Sequence, residues 1–265
     1  MKTPRLTLLF LLLGSWLSAA SAPAPGRHVV VVVFDGMRRD FISAETTPNL
    51  WKLVSDGVFF AHHHPVYLSA TEVNGTAIAT GAYPGHSTVI ANTDYRPMID
   101  PLKSVNIEKP EVIRKGDEVS GGHYLAVPTV AEILHAHGLA TAVAGSKQVA
   151  LLHDRSLRND GASVSPVIFE GDALPKSVAA GLKTVPGAFP AIGANENKHD
   201  RDAWTTRSLL EVLWKDNVPP FSLLWLAEPD ASQHASGPGS AQSLAAIKSS
   251  ATTLGRVPPE WDKRG

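Results

Sequence analysis

The feature that most restricts the fold is Val29 to Phe34, six consecutive apolar residues of which five are valine. A run of that length, β-branched and without polar alternation, fits a strand covered on both faces, as in a parallel sheet. It ends in Asp35-Gly36. A second strand of the same kind is expected at Phe221 to Leu226, ahead of Glu228-Pro229-Asp230. Between them helix signals alternate with shorter strand signals. Thr47-Pro48 opens a helix, with Thr47 as N-cap and Pro48 in the first turn, and Gly57 ends it. Val58 to Phe60 reads as a short strand. Ser69 with Glu72, and Thr129 with Glu132, have capping-box spacing, and Gly81 and Gly138 stand where helices stop. Leu139 to Val143 is a strand, and Arg201 to Trp214 and Ala241 to Ser250 are helices. Residues 93–122 show no periodicity, and residues 155–197 give only weak signals. The alternation predicts an α/β fold with a largely parallel central sheet.

Composition excludes several classes. The chain has 265 residues, 43% hydrophobic and 18% charged, so it buries a sizeable core and is neither disordered nor multispanning. Basic and acidic residues nearly balance, 24 against 25, and no basic field speaks for a nucleic-acid polymer. Cysteine is absent, which removes disulfides, thiolate metal sites and cysteine nucleophiles. Any metal must sit on His, Asp, Glu or hydroxyl ligands. At the start, Lys2 and Arg5 precede an apolar run, Leu6 to Leu17, and small residues follow from Ser18 to Ala22. This pattern predicts a signal peptide over residues 1–22 and export to a periplasmic or extracellular space. No stable membrane span remains after cleavage.

In α/β sheets, ligands bind beyond the carboxyl ends of the strands. Asp35 and Asp230 are placed there. An Asp-Gly is also an ordinary turn, so position alone leaves Asp35 open. Asp230 and His234 share a face if their segment is helical, and both are good ligands for zinc or a similar ion. A surface pair has the same spacing. Thr71 falls in the first turn of the helix after Ser69, where unpaired amides and the positive dipole end favour a phosphate-like anion. A hydroxyl there can attack phosphorus if a metal lowers its pKa. Asn74, one turn on, can donate to a phosphoryl oxygen. Thr71 also reads as an ordinary first-turn residue. His62-His63-His64 reads as a surface loop. Gly85-His86-Ser87 is no nucleophile elbow, and Gly36, Gly75 and Gly81 form no dinucleotide fingerprint. Trp204, Trp214 and Trp225 read as core residues.

The order of elements is more specific than any one of them. Strand-Asp35-Gly36 is followed by Thr47-Pro48-Asn49-Leu50, Thr71-Glu72-Val73-Asn74, Thr80-Gly81-Ala82-Tyr83-Pro84 and Glu228-Pro229-Asp230, with His234 and Gly237-Pro238 after it. This resembles the type I phosphodiesterase / nucleotide pyrophosphatase family of the alkaline phosphatase superfamily, over roughly residues 28–250. The resemblance implies a three-layer α/β sandwich and a metal-dependent hydrolase of phosphodiester or pyrophosphate bonds. Its substrate would be a small phosphate ester such as a nucleotide. By the same resemblance two zinc ions are held. Asp35 and the nucleophile Thr71 bind one, Asp230 and His234 bind the other, and Asn74 holds a phosphoryl oxygen.

The sequence departs from the family's pattern at several points. Glu72-Val73 replaces the usual Phe-Pro, and Gln233 stands where a Gly precedes the metal-binding His. No histidine follows His234, whereas the family has an Asp-His-Gly element and a further metal-binding His downstream. Pro258-Pro259 breaks the last helix, and Glu260 to Gly265 reads as a polar tail. These features predict a partial catalytic domain, residues 23–265, incomplete at its C-terminal end. They leave two alternatives beside the hydrolase: a catalytically impaired or non-catalytic homologue of the same fold, and a phosphomonoesterase.

Overall fold

The computed structural model describes residues 27–156 and 165–264. The signal segment, residues 1–22, lies outside the described residues. In chain order the elements are β1 (Val29–Phe34), α1 (Pro48–Asp56), α2 (Thr71–Thr80), α3 (Pro84–Ser87), β2 (Thr93–Asp94), β3 (Val105–Asn106), α4 (Pro110–Ser120), α5 (Val130–Ala136), β4 (Thr141–Gly145), β5 (Val167–Phe169), β6 (Asp172–Leu174), α6 (Ala179–Thr184), α7 (His199–Ser208), β7 (Phe221–Leu226), α8 (Asp230–Ser236), α9 (Ala241–Leu254) and α10 (Val257–Arg264).

Five strands form one sheet in the order β1-β7-β4-β5-β6, parallel except for the β5–β6 pair. Successive side chains of a strand face opposite ways, and the sheet uses this to build two cores. Val31, Val33, Val143, Leu223 and Trp225 pack with Val73 of α2 and Ile113 of α4. Val30, Val32, Ala144, Leu224 and Leu226 pack with Trp204 of α7, Leu209 and Trp214. Helices therefore cover both faces of the sheet, which makes the molecule the expected three-layer sandwich. The apolar run of β1 is continuous because its alternate valines serve different cores. Trp204, Trp214 and Trp225 are core residues, as expected.

Five local expectations are corrected. Val58 to Phe60 is not a strand, and its side chains are exposed; three apolar residues find no neighbouring strand to pair with. Residues 93–122 are not featureless. They hold the β2–β3 hairpin and α4, which starts with Pro110 at its first turn and ends at Gly121 in the left-handed conformation. Helix α2 is capped by Ala70, not Ser69: Glu72 is buried, and Asn92 Oδ1 accepts the Glu72 N–H at 3.1 Å. The strand placed at Leu139 to Val143 runs two residues later, over Thr141–Gly145. Pro258 and Pro259 do not end the structure. They sit in the first turn of α10, where missing N–H groups cost no helical bond. Arg264 then donates to the Leu210 and Trp214 carbonyls at 2.7 and 2.8 Å, pinning α10 to the region after α7.

The Thr129–Glu132 capping box is present with both reciprocal bonds, and α5 follows it. The helix expected from Arg201 to Trp214 is α7, continued by π-type turns over Leu209–Leu213. Among the described residues, no helix is long and apolar enough to cross a membrane.

Candidate active site

Strands β1, β7 and β4 are adjacent, and a polar side chain follows the carboxyl end of each: Asp35 after β1, Asp230 after β7, Lys147 after β4. The backbone ties the first two together, because Asp230 N donates to Asp35 O at 2.9 Å. Gly36 makes that approach possible. Its φ is +72°, and a Cβ there would lie 2.9 Å from Asp230 Cα. Gly145 does the same at the end of β4, where a Cβ would meet Ala150 Cβ at 2.5 Å. The chain can then turn at once into the buried 3-10 segment Gln148–Leu152.

The Lys147 Nζ donates to Asp35 Oδ2 at 2.7 Å and to Asp230 Oδ2 at 3.0 Å, and lies 3.4 Å from Thr71 Oγ1. Trp225 Nε1 donates to the same Asp35 oxygen at 3.2 Å. Three of the sequence-derived candidates, Asp35, Thr71 and Asp230, thus meet around one ammonium. His234 joins at the rim: its Nε2 is 3.3 Å from Asp230 Oδ1, and its side chain is 81% exposed. Burial raises the Asp35 pKa, an effect opposed by Lys147 and reinforced by the neighbouring Asp230 charge. Lys147 is also desolvated, but the two carboxylates outweigh this and hold it protonated, with a pKa above the ordinary lysine value.

Thr71 is the first residue of α2, so its hydroxyl stands at the positive end of the helix, where Asn92 Oδ1 takes the Glu72 N–H. Asn74 is not brought to the cluster. Its Oδ1 accepts the Val66 N–H at 2.9 Å and its Nδ2 donates to the Ala70 carbonyl at 3.1 Å, so the amide holds the loop ahead of α2. A phosphoryl oxygen would have to displace these bonds. Sequence reasoning missed Lys147 and Asn92. Among the described residues, the Asn92 NH2 has no hydrogen-bond partner, while its Oδ1 is fixed one residue from Thr71.

Glu72, next to Thr71, and Glu108 form a second acidic pair. Glu72 is buried and Glu108 half-buried, and an oxygen of each, Oε2, is buried without a hydrogen-bond partner. Burial first, and then the Glu108 charge, push the Glu72 pKa up to about 8. Burial also raises that of Glu108. On the opposite side, buried Asp202 accepts the Ala227 and Glu228 N–H groups at 2.7 and 3.0 Å and the Ser146 hydroxyl. It locks the carboxyl end of β7 to that of β4, and burial lifts its pKa to about 7.

The donors are chemically suited to zinc but are not arranged to hold a pair of ions. Stable zinc sites use three or four protein ligands. Asp35 with Thr71, and Asp230 with His234, supply two each. Among the described residues no group of three or more His, Asp or Glu converges. The Lys147 ammonium fills the space between the two aspartates. The residues in this arrangement therefore do not fit the two zinc ions that the resemblance implies.

The family model described as type I phosphodiesterase / nucleotide pyrophosphatase matches residues 29–265, and the chain belongs to this family. Among curated proteins the chain is similar to bis(5'-adenosyl)-triphosphatase enpp4 of Mus musculus, 32% identical over 78 residues, which are 29% of this chain and 16% of that protein. The Homo sapiens protein of the same name is also 32% identical over 78 residues, 17% of its length. Among solved structures it is similar to phosphonoacetate hydrolase from Sinorhizobium meliloti 1021 in complex with phosphonoformate. The identity is 19% and the TM-score 0.59, covering 89% of this chain and 54% of that one. It is also similar to an inactive threonine-to-alanine variant of murine ectonucleotide pyrophosphatase / phosphodiesterase 5 in complex with AMP. There the identity is 18% and the TM-score 0.56, covering 89% of this chain and 53% of that one. The chain thus spans about half the length of these two structures, and its matched segment about a sixth of the curated relatives. At this identity the solved structures speak for the fold.

Proposed function

We propose that the chain hydrolyses phosphodiester or pyrophosphate bonds of small phosphate esters such as nucleotides, with Thr71 as the nucleophile. The carrying observation is the place of Thr71: first residue of α2, its hydroxyl 3.4 Å from the Lys147 ammonium, between the ends of β1, β7 and β4. Family membership supports the reaction class, and the inactive threonine variant among the structural relatives supports a threonine in this role. In this reading Thr71 Oγ attacks phosphorus, the bond to the leaving oxygen breaks, and the hydroxyl proton goes to that oxygen; water then cleaves the Oγ–phosphorus bond, freeing the phosphate product and restoring the threonine. The helix N-terminus and Lys147 stabilise the negative phosphoryl oxygens. Asn92 is better placed than Asn74 to donate to one of them, because its NH2 is uncommitted. Zinc, where such enzymes hold it, lowers the pKa of a nucleophile. Export, removal of residues 1–22, and residues 23–265 as part of one catalytic domain belong to the same proposal.

The test is hydrolysis of a nitrophenyl phosphodiester beside the matching monoester. Thr71→Ala should lower diester turnover by roughly a thousandfold or more, and Asn92→Ala should cost more than Asn74→Ala. Retention of activity within about tenfold in Thr71→Ala rejects the nucleophile. Faster turnover of the monoester would move the assignment to a phosphomonoesterase.

A further inference from the structure

We infer that Lys147 is the resident cation of the Asp35–Asp230 pair, standing where a metal ion bridging the two carboxylates would sit, and that zinc can bridge them only by evicting it. The first ground is the occupancy of the oxygens. Asp35 Oδ2 already receives the Lys147 ammonium and the Trp225 N–H, at 2.7 and 3.2 Å. Indole nitrogen can only donate, and Trp225 is buried in the core, so that bond cannot be turned into a vacancy by a small adjustment. Asp230 Oδ2 receives the same ammonium, and its Oδ1 faces His234 Nε2. Zinc binds carboxylate oxygen at about 2.0–2.2 Å. Bound to these oxygens, it would lie against the ammonium, and two cations at that spacing repel strongly in a shielded site.

The second ground is that the lysine is held from behind. Its side chain is only 15% exposed. The Gly145 approach and the buried residues Val149 to Leu152 that follow fix its backbone on both sides. Eviction must therefore come from side-chain rotation alone, with loss of both carboxylate bonds. The third ground is the ligand count. In place of a third and fourth zinc donor the described structure offers a built-in positive charge. A lysine here gives the two aspartates one unit of charge and three directed N–H donors. This assignment concerns the site itself and does not depend on the turnover proposed above.

Zinc titration calorimetry of the full chain, after dialysis against a chelator, reads the claim directly. The wild type should show no saturable zinc site that is lost in Asp230→Asn. Lys147→Met, which keeps the length and removes the charge, should bind zinc tighter than wild type by roughly tenfold or more. Its melting temperature should fall without zinc and recover with it, while Lys147→Arg should behave as wild type. A stoichiometric, tight zinc site in the wild type that Asp35→Asn and Asp230→Asn abolish would overturn the inference. So would a Lys147→Met chain that folds and binds zinc no better than wild type. If Lys147→Met does not fold, the wild-type and Lys147→Arg titrations still decide, because tight zinc binding by either contradicts the eviction requirement. A failed Thr71 assay with these titrations as expected would reject the catalytic reading and leave Lys147 in place.

Discussion

Two pairs of acidic side chains, Asp35 with Asp230 and Glu72 with Glu108, are handled differently by the fold. Asp35 and Asp230 share a cation, Lys147, which donates to both. Glu72 and Glu108 feel the Lys147 charge as well, but its hydrogen bonds go to the aspartates, and each glutamate keeps an unpartnered oxygen. The first pair is compensated by a counter-charge. The second is compensated by holding on to a proton, since burial and mutual repulsion raise the Glu72 pKa to about 8. The contrast shows how strand-end geometry decides what a buried carboxylate can do. The first pair stands at the ends of adjacent parallel strands, where a third strand end delivers the lysine. The second pair comes from a helix and a loop, Glu72 in α2 and Glu108 just before α4, and the lysine reaches it through charge alone.

The comparison can be broken at either pair. The larger effect should come from Asp35→Ala. It leaves Lys147 with one carboxylate and Trp225 Nε1 without an acceptor, so the cost in unfolding free energy should be about 3 kcal/mol. Denaturant titration measures it, and a loss below about 1 kcal/mol would show that the Lys147 bridge does not hold the strand ends. A smaller effect is expected at the other pair, from Glu72→Gln. The folded Glu72 keeps its proton up to about pH 8, whereas the unfolded side chain releases it near 4.5. Stability from this group is therefore present below pH 4.5 and is lost as pH rises toward 8. Glu72→Gln cannot lose that proton. It should match wild type near pH 4, and its lead should grow as pH rises to 8, to at least about 1 kcal/mol at pH 9. Parallel pH profiles for the two proteins would show that Glu72 is not held protonated.

Much of this frame was legible in the sequence. Val29 to Phe34 and Phe221 to Leu226 are the two strands expected, adjacent and parallel. Asp35 and Asp230 stand beyond their ends, and Asp230 and His234 share a face of α8. Thr129 and Glu132 form the box their spacing announced. The rest depended on contacts between residues distant in sequence. Nothing in Gly145-Ser146-Lys147 marks a site lysine, since an isolated lysine after a strand is usually a solvated surface residue. Only the order β1-β7-β4 brings it, 112 positions from Asp35, between the two aspartates. The side chain that accepts from the α2 N-terminus is Asn92, 20 residues away from Glu72, while Ser69 had the local spacing but not the contact. Pro258-Pro259 has two local meanings, a break or a first turn. The packing of Val257 and Trp261 on the core selects the second.

The nucleophile is read most directly by capture of the covalent intermediate. The full chain is mixed with a nitrophenyl ester of a nucleotide, quenched in acid, digested and examined by mass spectrometry. A nucleotidyl group is expected on the peptide containing Thr71, formed by wild type and absent in Thr71→Ala. An adduct on another side chain, or the same adduct in Thr71→Ala, would contradict it.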